Sequence, residues 1–300
     1  MRQLAIPPAW TDVAIHPDAK GTLQAVGKDA AGRWQYRYHE RHTAKQGAAK
    51  FKRVVAFAHA LPKLRRRLQQ DLRKPGLGRE KVMACILRIM GSCFIRAGSQ
   101  VYAEENGSYG IATLRPRHVK IRGDTLIFDF KGKSKKHVHR ELTDRRVTRI
   151  VKELLQVPGR DIFKFVLDDG HVVDVRRRHI NEYIHEVMGA QFSAKDLRTW
   201  AGTLICACAL ARAGTSNAPG GKVAAKRCVV AAVKEAAEYL GNTPSVAKAS
   251  YIYPPVIAHF EKGRVVDRFF ASVEEFAKHE RASLHGAERA LLELLGGPAV

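Results

Sequence analysis

The chain has 300 residues and a mass of 33.4 kDa, and its 45% hydrophobic and 27% charged content suits one large or two modest folded domains rather than disorder. Fifty-two Lys and Arg against 29 Asp and Glu give a formal charge of +23 and a pI near 10.1, so an anionic partner is expected, nucleic acid before an acidic membrane surface. No run approaches the roughly 18 apolar residues of a membrane span, MRQLAIPPAW lacks a signal-peptide core, and five cysteines without framework spacing point to a reducing compartment; a secreted or membrane protein is not expected.

In chain order, residues 1–43 hold turn signals (PDAKG, GKDAAG) and short alternating runs. The aromatic alternation across Trp34, Gln35, Tyr36, Arg37 and Tyr38 predicts a strand. From Ala48 the period becomes helical, with Pro62 expected to kink or divide the stretch. Between 41 and 80 the only acids among many Lys and Arg are Asp71 and Glu80; a solvated basic face is the plain reading. PGLG at 75–78 precedes an apolar helix, REKVMACILRIMGSCFIRAG. HVKIRGDTLIFDFKGKSKKHVHREL then predicts a three-stranded antiparallel sheet, with turns at Gly123-Asp124 and Gly132-Lys133-Ser134. Helices are expected at roughly 143–156, 175–188, 194–213, 220–240 and 271–295, and a loop of flexible composition at 213–221. The fold class is therefore α+β: a small β-rich unit at 1–45 joined to a larger, mainly α domain at 46–300 that carries one small antiparallel sheet.

Common catalytic signatures are missing: there is no Walker loop, GxGxxG, HExxH or GxSxG. Cys206 and Cys208 read as core residues of an apolar helix. His137 and His139 share a strand face, but with no clear third ligand they read as surface groups rather than a metal site. No metal or cofactor is expected.

What remains is a scattered set of cations and tyrosines. Arg96 follows an apolar helix, Lys133 sits at a hairpin tip, Lys195 and Arg198 open a helix, and Tyr251 precedes a proline-marked break. Each alone has an ordinary structural explanation. Together they suggest phosphoryl transfer without a metal. Two guanidiniums can hold the non-bridging oxygens of a pentacoordinate phosphorus by forked hydrogen bonds. A phenol can attack phosphorus and keep the bond energy as a phosphotyrosine, and a lysine can protonate the departing oxygen.

From Ile6 to about His259 the sequence resembles the type IB DNA topoisomerases, specifically their poxvirus-like and bacterial branch. The matching pieces, in order, are IPPAWTDV, GRWQYRYH, CFIRAGSQVYAEENGSYGIATL, FDFKGKSKK, KDLRTWAGT and LGNTPSVAKASYI. The resemblance implies the fold shared by type IB topoisomerases and tyrosine recombinases. It also implies that Tyr251 attacks the scissile phosphodiester to leave a 3′-phosphotyrosyl bond, that Arg96 and Arg198 stabilise the transition state, and that Lys133 is the general acid. Gln35, Tyr36 and Tyr38 match DNA-contacting positions, and Lys195 matches a lysine one turn before the second arginine. Asn242 stands where poxviral members have histidine; its neutral amide suits hydrogen bonding to a non-bridging oxygen rather than proton donation. Bacterial relatives carry more residues before IPPAW, so a shortened N-terminal sheet is expected. Tyr253, two residues on, is the less favoured nucleophile. A tyrosine recombinase is the nearest alternative, but Lys195-Asp196-Leu197-Arg198 replaces the HxxR pattern usual there. A non-catalytic DNA-binding protein is the alternative of another class. The implied partner is duplex DNA, gripped by the basic stretch and the N-terminal tyrosines, for a monomer working at the cytoplasmic nucleoid. The C-terminal stretch after about 270 is expected to be one amphipathic helix packing back on the domain.

Overall fold

A computed structural model describes residues 4–30, 32, 34–214, 221–279 and 281–297, the side chains of 43–52 and 222 excepted. The chain divides into two compact units, Met1–Arg53 and Val54–Val300.

The first unit is an antiparallel meander of β1 (Thr11–Ile15), β2 (Leu23–Lys28) and β3 (Trp34–Tyr38). The ladder pairs Val26 with Tyr36 and Lys28 with Trp34. Because strand side chains alternate, Trp34, Tyr36 and Tyr38 share one face and stay exposed, at 50%, 52% and 49%. Gln35 lies on the other face, opposite Gly27. A Cβ at Gly27 would come within 2.9 Å of the Trp10 ring, so this side is closed by Trp10.

Helix α1 (Glu40–Asp71) starts earlier than the periodicity suggested and is not divided at Pro62. Proline removes one intrahelical hydrogen bond. Here Phe57, Ala58 and Leu61 before it and Leu64 and Leu68 after it lie on one buried stripe, and that continuous packing outweighs the lost bond. Four cations of the basic stretch are engaged in ion pairs: Arg65 with Glu288, Arg67 and Lys74 with Asp71, and Arg79 with Glu186.

The second unit is built on two almost wholly buried helices, α2 (Arg79–Cys93) and, later in the chain, α6. After α2 come the short α3 (Gln100–Asn106) and the expected sheet, β4 (Val119–Arg122), β5 (Thr125–Lys131) and β6 (His137–Thr143) in that order. Gly123 turns β4 into β5 at φ 58. Lys133–Lys135 form a single 3-10 turn between β5 and β6. Helix α4 (Arg145–Gln156) follows, capped by the Asp144 carboxylate. The hairpin of β7 (Lys164–Val166) and β8 (Val172–Asp174) comes next. It was not legible in the sequence, because three-residue strands carry too little alternation.

The remaining elements are α5 (Arg177–Met188), α6 (Ala194–Arg212), α7 (Gly221–Tyr239), α8 (Pro244–Tyr251), α9 (Pro254–Glu261), α10 (Val273–Ala277) and α11 (Gly286–Leu294). Of the loop expected at 213–221, residues 215–220 lie outside the described residues. The single C-terminal helix expected at 271–295 is instead two. His285 restarts the chain as an N-cap whose ring accepts from the Ala287 amide, while Glu288 reaches back to the His285 amide at 2.8 Å. Such a cap competes with continuing a helix through that point. Among the described residues no helix is long and apolar enough to cross a membrane.

Candidate active site

Four chain segments converge on one small cleft, and each arrives by a local device. Helix α2 ends at Phe94, a non-glycine residue in the left-handed conformation (φ 56, ψ 24). That reversal turns the chain into 95–98, where the Arg96 and Ala97 carbonyls accept the Ile111 and Ala112 amides at 2.8 and 3.0 Å. Gly98 and Gly110 approach so closely that a Cβ on Gly110 would lie 2.6 Å from the Gly98 backbone. Arg96 is thus held on a paired backbone rather than a free loop.

Arg198 sits in the first turns of α6, which opens with a capping box between Ser193 and Asp196. It is 5% exposed, and one nitrogen of its guanidinium donates to the Phe94 carbonyl while Nη2 donates to the Leu240 carbonyl at 2.6 Å. The same αL residue that redirects Arg96 therefore also orients Arg198.

The third segment is the α7–α8 turn. Gly241 adopts φ 61, its amide donates to the Glu238 carbonyl, and the Asn242 amide reaches the Ala237 carbonyl at 2.8 Å. This is a Schellman ending, which needs glycine at its left-handed position and leaves Asn242 pointing away from the helix. The Asn242 side-chain oxygen accepts from Arg96, and its backbone carbonyl accepts from Lys136 Nζ at 2.8 Å.

Tyr251 is the last residue of α8, whose start is fixed by the Thr243 cap and Pro244. Gly202 of α6 admits it: a Cβ there would meet the Tyr251 carbonyl at 2.8 Å. Thr203 Oγ1 donates to that carbonyl at 3.2 Å and accepts the Tyr253 amide at 3.1 Å. The phenol is 8% exposed and receives a hydrogen bond from Arg96 Nη1 at 3.2 Å. The Arg198 guanidinium lies 5.2 Å from its ring centre. Tyr253 is instead half-buried as the N-cap of α9.

The electrostatics of the cleft are one-sided. Burial would push the Tyr251 phenol up, but Arg198 and Arg96 together outweigh it and hold it below the ordinary tyrosine range. Burial first, and then the like charge of Arg96, bring Arg198 down to about 10. Among the described residues, Arg198 Nε and Asn242 Nδ2 are buried without a hydrogen-bond partner. Unmatched buried donors are costly in isolation; beside a phosphate they are the groups that would hold its oxygens.

Lys133 is exposed on the β5–β6 turn and lines the same cleft as Arg96, Lys136, Arg140 and Arg198. Lys195 is exposed on the first turn of α6, on the helix face three residues before Arg198. In the first unit the Tyr36 and Tyr38 rings stack at 6.5 Å, and Lys28 lies 4.9 Å from the Trp34 ring centre. Gln35 is turned away from them, donating to Asp29 at 2.9 Å. His137 and His139 both meet Asp129 on the exposed strand face. Cys206 and Cys208 are buried, as their helix implied.

Two residues of the cleft escaped the sequence reading, Lys136 and Arg140. A signal for Arg140 existed, since it falls between Val138 and Leu142 on the inward face of β6, where a charge is unexpected.

Residues 39–261 match the family model described as the catalytic core of eukaryotic DNA topoisomerase I, and residues 1–29 match that of the N-terminal domain of bacterial DNA topoisomerase IB. The chain is 34% identical over 256 residues to DNA topoisomerase 1B of Acanthamoeba polyphaga mimivirus, covering 84% of this chain and 76% of that protein. It is 25% identical over 264 residues to DNA topoisomerase 1B of vaccinia virus strain Copenhagen, covering 86% and 80%. A solved chain of the XerH site-specific recombinase superposes with a TM-score of 0.38 at 16% identity, over 64% of this chain and 47% of that one.

Proposed function

The chain belongs to the type IB DNA topoisomerase family, and from that premise we propose that it relaxes supercoiled duplex DNA by breaking and rejoining one strand through Tyr251. The Tyr251 oxygen attacks phosphorus as its proton leaves to solvent. The bond from phosphorus to the 5′-oxygen breaks, and Lys133 supplies that oxygen with a proton. A 3′-phosphotyrosyl bond and a free 5′-hydroxyl result. After the free end swivels about the intact strand, the 5′-hydroxyl attacks back and the tyrosine is released. The bond energy stays in the phosphotyrosine, so this chemistry needs no ATP.

Arg96, Arg198 and Asn242 act on the non-bridging oxygens. Arg198 is fixed on the Phe94 and Leu240 carbonyls, and Arg96 on the Tyr251 phenol and the Asn242 amide oxygen, before substrate arrives, so little reorganisation accompanies charge build-up; such preorganised donors are each worth about 3–4 kcal/mol. Lowering the phenol below its ordinary range also raises the fraction of phenolate available at neutral pH. The observation that carries the reading is the Tyr251 hydroxyl 3.2 Å from Arg96, beside the unpartnered buried donors of Arg198 and Asn242.

On the same reading the exposed face of Trp34, Tyr36 and Tyr38, with Lys28, contacts DNA. Lys195 adds a phosphate contact, and Gln35 does so only after leaving Asp29. The enzyme works as a monomer, on chromosomal DNA in the cytoplasm. Incubation with supercoiled plasmid in EDTA without nucleotide should relax positive and negative supercoils alike. A failure to relax either, at any salt concentration, would overturn the proposal. A single retention volume matching 33.4 kDa in gel filtration would support the monomer.

A further inference from the structure

Strand β6 carries a guanidinium on its inward face. Arg140 extends between Val138 and Leu142, and its Nη2 donates to the Tyr239 carbonyl at 2.7 Å and the Glu238 carbonyl at 3.3 Å. Its Nη1 donates to the His139 carbonyl at 2.6 Å, and its Nε is buried without a partner among the described residues. Among the described residues it forms no ion pair. The nearby Glu274 carboxylate is instead bonded to the Tyr239 hydroxyl at 3.0 Å.

The carbonyls it holds lie in the last turn of α7, where backbone acceptors outnumber helical donors and attract cations; that of Glu238 also accepts the Gly241 amide. The next carbonyls along are held by cations too: Leu240 by Arg198 and Asn242 by Lys136. Four carbonyls between 238 and 242 are therefore held from outside the helix. Two of the three cations, Lys136 and Arg140, come from the strand end of one hairpin, and that hairpin carries Lys133 at its turn.

We propose that Arg140 is a positioning residue for strand cleavage, registering the hairpin that bears Lys133 against the α7–α8 turn that orients Arg198 and Asn242. This rests on the reading of the cleft as a transesterification site. Lys133 serves the departing oxygen, while Arg198 and Asn242 serve the non-bridging oxygens of the same phosphorus. Arg198 and Asn242 come from chain segments 65 and 109 residues beyond that of Lys133. Arg140 is a direct link between them, with Lys136 as a second arm. Displacing catalytic groups by about 1 Å can cost about 100-fold in rate, so the link should appear in the chemical step rather than in DNA affinity.

The test is single-turnover cleavage of a nicked duplex that cannot religate, using Arg140→Met, which keeps the packing stem, and Arg140→Lys. Arg140→Met should lower the cleavage rate at saturating DNA about 10- to 100-fold, leave DNA affinity within about threefold, and melt cooperatively. Arg140→Lys, which restores one donor to the turn, should recover part of the rate. Lys136→Met removes the exposed arm and should give a smaller loss of the same kind; it carries the test alone if Arg140→Met does not fold. A cleavage rate unchanged in the folded variants would overturn the proposal, as would a loss confined to DNA affinity. If the unaltered protein forms no covalent adduct, the transesterification reading itself fails; an active parent with equally fast variants removes only the role of Arg140.

Discussion

Arginines in the larger unit are handled in two opposite ways. Against α11, Arg65 forms a bidentate pair with Glu288 at 2.8 Å, and Glu288 also accepts from Trp200 Nε1 at 2.9 Å. Arg88 pairs with Asp144, and Arg67 with Asp71. In the cleft around Tyr251, Arg96, Arg140 and Arg198 pair with no carboxylate among the described residues; backbone carbonyls, an amide oxygen and a phenol receive them instead. A carboxylate fixes an arginine and cancels its charge, whereas a carbonyl fixes it and leaves the charge for a ligand. The first arrangement holds the fold together; the second stores positive potential where, on the proposed function, the phosphate sits. A cleft of about 670 Å³ lies beside these pairs, lined by Arg65, Arg88, Asp144 and Glu288 but also by Arg73, Arg145, Arg146, Arg149 and Arg281, and by none of Arg96, Arg198 or Tyr251. Size alone is a poor guide to the chemistry here.

The sharpest way to separate the regions is to remove the nucleophile: Tyr251→Phe should abolish covalent attachment to DNA while salt-dependent binding persists, measured by adduct gels and filter binding. A second change would make the cleft resemble the structural region. Asn242→Asp adds a carboxylate of the same shape beside Arg96. It should cost at least about 100-fold in cleavage, comparable to losing one preorganised donor, without lowering the melting temperature. Full activity in that variant would contradict the role assigned to uncancelled charge.

On the structural side, Glu288→Gln leaves Arg65 without its anion. Arg65 is itself partly exposed, so the loss should be about 2–3 kcal/mol rather than the full cost of breaking a buried pair, read as a lower urea midpoint. Burial alone would raise the Glu288 carboxyl, but Arg65 outweighs it and holds it below the ordinary range. Its stabilisation is therefore present above the ordinary glutamate range near ~4.3 and lost as pH falls below it. A pH series of melting temperatures should show that loss in the parent and less of it in Glu288→Gln. The smallest effect is expected at the exposed strand: Tyr36→Ala should weaken DNA binding by about tenfold, within the ~1–3 kcal/mol of an aromatic contact to nucleic acid, and leave the cleavage rate at saturating DNA unchanged.

The sequence made the outer arrangement legible and the inner one only in part. Alternation from Trp34 to Tyr38 was enough to place a strand, and the two turns between 118 and 143 defined the sheet, because these signals are local. The residue types of the cleft were also legible, from Arg96, Lys133, Arg198, Asn242 and Tyr251 in their motifs. What the sequence did not show is how they are held. The αL turn at Phe94, the approach of Tyr251 to Gly202 and the Arg140 tether depend on contacts between segments tens to over a hundred residues apart. The break in the C-terminal helix escaped for a different reason: the His285–Glu288 cap interrupts an otherwise amphipathic pattern without a proline to announce it.

The most direct test of the account is to trap the cleaved complex on a nicked duplex, digest it, and identify the residue that carries the nucleotide by mass spectrometry. The account predicts a 3′-phosphoryl bond to Tyr251, absent from Tyr251→Phe and retained in Tyr253→Phe. An adduct at Tyr253, or on the 5′ side of the break, would contradict it.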